Sequence, residues 1–187
     1  MDSLPTRLSR AAPVNVVGTW QRHVSARFAG TGLQGRSALG RWGTAGGYPV
    51  LYLGKPTDSV VVEAYRHLID PVVATAGAVP PITPRVLITC EVSVTTILDL
   101  RSTATRALSG LTLKQLQSDT SDKAAYAACQ SVSATAHQLE FHGLLAPAAT
   151  KLGETLVLFS DLLPPAEHPV GTADELWVKL PPDPRPS

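Results

Sequence analysis

The chain has 187 residues, with 16 Lys plus Arg against 15 Asp plus Glu for a net charge of +1, 44% hydrophobic and 17% charged residues. That is enough for one domain with a proper core, and it excludes a disordered chain and a highly charged coiled coil, while near-neutrality argues against a dedicated nucleic-acid binder and leaves an Arg-rich nucleic-acid site a distant reading. Apolar runs such as Val60-Val61-Val62 and Leu156-Val157-Leu158-Phe159 are too short to span a membrane, two cysteines (Cys90, Cys129) without CxxC or Cys/His spacing suggest neither a disulfide scaffold nor a metal site, and MDSLPTRLSRAAP lacks the apolar region of a signal peptide, so the expected compartment is a reducing cytoplasm.

Sixteen Pro and fourteen Gly predict short elements. Val24–Ala29 reads as a strand, followed by a glycine-rich stretch over residues 30–47 that carries Arg36 and Arg41. Pro49–Leu53 reads as a buried strand. Thr57-Asp58-Ser59 signals a helix start, with Thr57 or Asp58 as the cap, ahead of Val60–Ile69, and Asp70-Pro71 is expected to end that helix. Residues 71–84 read as a loop with four prolines. Arg85–Val92 alternates like a strand and Thr96–Leu100 like a second short one. Leu113–Leu116 suggests a short helix, and the stretch from Ser121 to Phe141 a long one, capped by Asp122 and stopped by Gly143. Thr155–Phe159 and Glu175–Leu180 read as late strands, and PPDPRPS as a mobile tail. Helices and short strands interleave without regular βαβ units, which favours a mixed α+β domain over a doubly wound sheet.

The total charge hides an asymmetry. Residues 1–57 carry seven cations, six of them Arg, against Asp2 alone, for +6, and the remainder carries −5. Arginine suits planar, bidentate capture of phosphates, so the early block favours an anionic ligand. Gly30-Thr31-Gly32-Leu33-Gln34-Gly35 matches G-x-G-x-x-G but lacks the helix and the acid about 20 positions onward that a dinucleotide fingerprint requires. No G-x-S-x-G, Walker lysine or H-E-x-x-H is present, and the five histidines show no ligand spacing.

A different ordered set of motifs runs through the chain: Ala26-Arg27-Phe28, Leu39-Gly40-Arg41-Trp42, Tyr48-Pro49-Val50-Leu51-Tyr52-Leu53, and Val62-Glu63, with Glu63 eleven residues after Tyr52. Cys129-Gln130 and Gly143-Leu144-Leu145-Ala146-Pro147-Ala148-Ala149 follow. Together, over about residues 22–160, they resemble the RES domain, a bacterial toxin family named for its Arg, Glu and Ser. The resemblance implies a single α+β domain with a mixed sheet like that of ADP-ribosyltransferase toxins. It would divide the chain into an extension (1–20), a catalytic domain (21–180) and a tail (181–187). It implies consumption of NAD⁺ as substrate, by hydrolysis or phosphorolysis of the nicotinamide–ribose bond, without a metal. It also implies neutralisation by an Xre-like antitoxin partner, without direct nucleic-acid or membrane contact; a homo-oligomer and a toxin–antitoxin hetero-oligomer both stay open. The alternatives are ADP-ribosylation of a protein and, from another class, a catalytically decayed domain acting as a binding module.

The chemistry fits these residues independently. Breaking the bond to nicotinamide passes through an oxocarbenium-like state, which a fixed carboxylate stabilises, and Glu63 is the candidate, set against a solvated helical glutamate. Arg27, expected on a strand and projecting into a cleft, and Arg41 would hold the pyrophosphate. Tyr52 would stack on the nicotinamide or serve as a core tyrosine, and Trp42 would wall the pocket or, as the favoured reading, pack. The sequence departs from the family at Phe28 (commonly Tyr), Gly43 (commonly Asn) and Ala127, where the signature Ser falls. Ser131, one helical turn later, would replace that hydroxyl, whereas Ser133 lies on a different flank.

Overall fold

The computed structural model describes residues 2–186. Strand β1 (Val14–Ser25) is the first long element, and it pairs antiparallel along its length with β3 (Arg85–Asp99). β2 (Val50–Lys55) runs antiparallel to β5 (Glu154–Phe159), β5 antiparallel to β4 (Gly143–Pro147), and β4 parallel to the end of β3. β6 (Val170–Trp177) pairs with residues 85–91 of β3. β1 also meets β2 at the pair Gln21↔Gly54, so β1, β2, β5, β4 and β3 close on one another.

The period-two alternation of the strands divides the core in two. Leu51, Leu53, Leu145, Leu156 and Leu158 pack with Trp20, Cys90 and Val92 on one face. Val50, Leu98, Leu144, Val157 and Phe159 face the other way, onto Cys129, Val132 and Ala136 of the long helix Lys123–Gln138 and onto Leu8 of α1 (Leu4–Leu8). The neighbouring strands approach closely at Gly143, where a Cβ would lie 2.0 Å from the Val157 carbonyl oxygen. Helix α2 (Thr57–Leu68) lays Val60 and Val61 against Leu87 and Trp177. Helices α3 (Asp70–Ala76), α4 (Thr103–Ser109), α5 (Leu113–Leu116) and α6 (Lys123–Gln138) complete the chain, with Thr112 and Gln115 forming a reciprocal capping box on α5 and Asp122 capping α6. Among the described residues no helix is long and apolar enough to cross a membrane.

The architecture is the expected mixed α+β domain, with several local differences. β1 begins ten residues before the expected Val24, taking sheet from the stretch read as an extension. It ends at Ser25, and Ala26–Thr31 is a 3₁₀ turn, so Arg27 is not on a strand. Pro56 occupies the N-cap of α2, with Thr57 and Asp58 inside the helix. Asp70-Pro71 opens α3 instead of leading into a loop, because a proline in the first turn lacks only an N–H that would have no helical partner. Arg85–Asp99 is one strand, not two, and passes through Thr96 at φ 58°. The segment from Gly143 forms β4, and the last strand starts five residues before the expected Glu175, overlaps it over residues 175–177 and ends at Trp177. The tail is fastened to the helices at two points: Tyr65 donates to the Pro181 carbonyl, and Arg185 forks onto both Asp70 carboxylate oxygens at 2.6 and 2.9 Å.

Candidate functional site

A cleft of about 310 Å³ opens where β1 and β2 meet. β2 projects Tyr52 into it, β1 brings Arg22 and His23, α2 brings Glu63 and Arg66, and the glycine-rich loop contributes Arg41. Three sequence-predicted residues, Arg41, Tyr52 and Glu63, are therefore gathered in one place.

Tyr52 is partly buried beneath the loop, and its hydroxyl accepts a hydrogen bond from the Trp42 backbone N–H at 3.0 Å. Burial pushes this phenol above its ordinary range, so it is a neutral hydroxyl. The loop fits tightly over it: a Cβ at Gly40 would lie 2.9 Å from the Tyr52 hydroxyl, and one at Gly43 would lie 2.7 Å from the Ala38 carbonyl oxygen. Gly43 is thus matched to its turn. From α6, Gln130 donates to the Gly40 and Gly43 carbonyls at 2.8 and 3.3 Å, and Ser133 donates to the Trp42 carbonyl at 2.7 Å while accepting from the Tyr48 hydroxyl. Trp42 itself is packed in the core and also borders the cleft, so the two readings of it coincide.

Glu63 keeps 42% of its side-chain surface exposed, with Arg66 at 3.7 Å and His67 at 3.3 Å on its own helix. A carboxylate so placed is fixed at the cleft wall yet free to meet a ligand. Arg41 is different. It is only 7% exposed, and its guanidinium donates to the Gln115 carbonyl (2.8 Å) and to the Ser118 hydroxyl (3.1 Å) and carbonyl (2.6 Å) while lying 4.5 Å over the Tyr126 ring. Its hydrogen bonds tie the loop to the segment after α5, which makes it a strut of the cleft wall.

Two predicted residues lie elsewhere. Arg27 leaves the sheet on the 3₁₀ turn and lines an adjoining pocket of about 630 Å³. Ser131 is exposed on α6 and is not among the residues lining the cleft, and Ala127 is exposed as well. Phe28 lies in the adjoining pocket with Arg27.

Sequence reasoning missed Arg22, His23 and Arg66. Arg66 was within reach of a simple signal, since position i+3 from Glu63 shares its helix face. Arg22 had none until β1 was known to extend through it. Burial, then the neighbouring Arg36 and Arg85, lower the Arg22 guanidinium to about 10. Burial, then Arg85, His67 and Arg22, lower His23 to about 3. The His23 ring is accordingly neutral, with Nδ1 accepting from Arg85 Nε at 3.2 Å. Among the described residues, no group of three or more His, Cys, Asp or Glu is arranged to hold a metal ion.

Comparison with known proteins adds an independent finding. Residues 12–180 match the family model described as RES domain. The curated proteins yield no match. Among solved structures, a chain in the crystal structure of the M. tuberculosis MbcT–MbcA toxin–antitoxin complex has a similar fold, at TM-score 0.75 and 23% identity, over 92% of this chain and 90% of that one.

Proposed function

Because the chain belongs to the RES domain family, we propose that it is an NAD⁺-degrading enzyme acting as the toxin of a toxin–antitoxin pair. The observation that carries the reading is the convergence of Tyr52, Glu63, Arg22 and Arg66 on one cleft. The flat nicotinamide stacks on the Tyr52 ring, and Arg22 and Arg66 face the pyrophosphate, in place of Arg27 and Arg41. Heterolysis leaves the bonding electron pair on the nicotinamide nitrogen and positive charge on the ribose, which the Glu63 carboxylate stabilises. Water or phosphate then attacks the ribosyl carbon; with water as acceptor, a proton is released through Glu63 to solvent. Neutralisation by a cognate antitoxin of Xre type is the partner half of the proposal, supported by the similar fold of a chain from a toxin–antitoxin complex.

Phe28 and Ala127, the departures that would favour a decayed module, both stand outside the cleft lining, with Phe28 in the adjoining pocket. Purified full-length protein incubated with NAD⁺ should release free nicotinamide. No release by antitoxin-free protein, with or without phosphate, overturns the proposal. Transfer of label from NAD⁺ to a protein would move it to ADP-ribosylation.

A further inference from the structure

The pocket adjoining the cleft is walled by Arg22, Arg27, Arg36 and Arg85, and among the described residues no acidic side chain lines it. Among the described residues none of these four arginines forms a salt bridge. Arg27 and Arg36 are both braced on Phe28, their guanidinium carbons 4.6 and 4.7 Å from its ring centroid. Arg85 is oriented by His23. Four converging cations without a counter-charge repel one another, and the lowered Arg22 reflects burial and the proximity of Arg36 and Arg85. A bound anion would relieve that repulsion, and forked guanidiniums match phosphate oxygens.

Arg22 and His23 border both this pocket and the cleft, so the two spaces are contiguous. A dinucleotide whose nicotinamide end lies against Tyr52 and Glu63, and whose pyrophosphate passes Arg22, delivers its adenosine end into the basic pocket. Arg22 and Arg66 already match the two charges of a pyrophosphate. Arg27, Arg36 and Arg85 remain, more than an uncharged adenosine needs. We propose that this pocket is a phosphate subsite for a phosphomonoester carried on the adenosine ribose, so that a 2′-phosphorylated dinucleotide is bound in preference to NAD⁺. This rests on the dinucleotide reading above.

Binding to the full-length protein, measured by calorimetry, separates the possibilities. Adenosine 2′,5′-bisphosphate should bind at least tenfold more tightly than ADP, and the double variant Arg27→Ala/Arg36→Ala should erase that advantage while keeping its melting temperature, because both side chains are exposed. Equal affinity for the two nucleotides overturns the proposal, as does an advantage that survives the double substitution. Inorganic phosphate binding the pocket as tightly as the bisphosphate overturns the tethered assignment. Nicotinamide release by unsubstituted protein is followed separately: its absence beside an intact bisphosphate preference would remove the proposed reaction and leave the subsite standing.

Discussion

Replacing Arg41 with Met distinguishes a strut from a phosphate ligand. The guanidinium makes three hydrogen bonds to the segment after α5 and lies over Tyr126, in a position nearly closed to solvent. A hydrogen bond to a charged group contributes about 1.5–3 kcal/mol, three on one guanidinium are not additive, and the ring contact adds about 0.5–1 kcal/mol. Methionine keeps most of the apolar stem but leaves the Gln115 and Ser118 carbonyls without this donor. The expected loss is about 3–4 kcal/mol, which for a chain of this size lowers Tm by about 6–16 °C. Thermal melting by circular dichroism, checked against urea unfolding with an unchanged slope, reads it directly. A fall of less than about 2 °C accompanied by lost nucleotide binding would refute the reasoning and return Arg41 to the pyrophosphate.

Three further outcomes follow from the site. Glu63→Gln should lower the rate of nicotinamide release by about 10²–10³ while leaving Tm nearly unchanged, since its ion pairs are long, partly exposed and confined to its own helix; equal activity would remove Glu63 from the chemistry. Ser131→Ala should alter neither activity nor stability, whereas Ser133→Ala, which removes a fully buried hydroxyl joining the Trp42 carbonyl to Tyr48, should cost about 1–3 kcal/mol by chemical denaturation. His23 has a folded value near 3 and an ordinary unfolded value of 6.5, so the unfolded chain binds the extra proton between them and stability should fall as pH drops from 6.5 toward 3. The slope is on the order of 1 kcal/mol per pH unit, and it should flatten in His23→Gln when unfolding is followed across that range.

The cleft was legible where chemistry and local pattern agreed. Tyr52 in an apolar strand and Glu63 eleven residues later, on a helix with a clear start, were found from the sequence and meet in space. Arg22 was not, because a strand that turns polar side chains toward a cleft loses its hydrophobic alternation at that point: Gln21-Arg22-His23 interrupts β1 and made the strand seem to start at Val24. The same error placed Arg27 on a strand, although the chain leaves the sheet at Ala26. Asp70-Pro71 reads equally as a helix stop and a helix start, and only packing decides between them. Ser131 and Ser133 differ by two positions, hence by about 200° or slightly more than half a turn of helix, and which of them meets the loop depends on the rotation of α6 against the sheet.

β1 joins β3 through eleven residue pairs but touches β2 through one, Gln21↔Gly54. The sheet is therefore a cylinder with a seam held by a single stitch, and both halves of that stitch border the cleft. Full closure would have removed the opening along with the edges. A molecule lying in the cleft lies across that seam, in contact with both strands, and acts as its clasp. Occupancy of the site and the stiffness of the cylinder thereby become a single property.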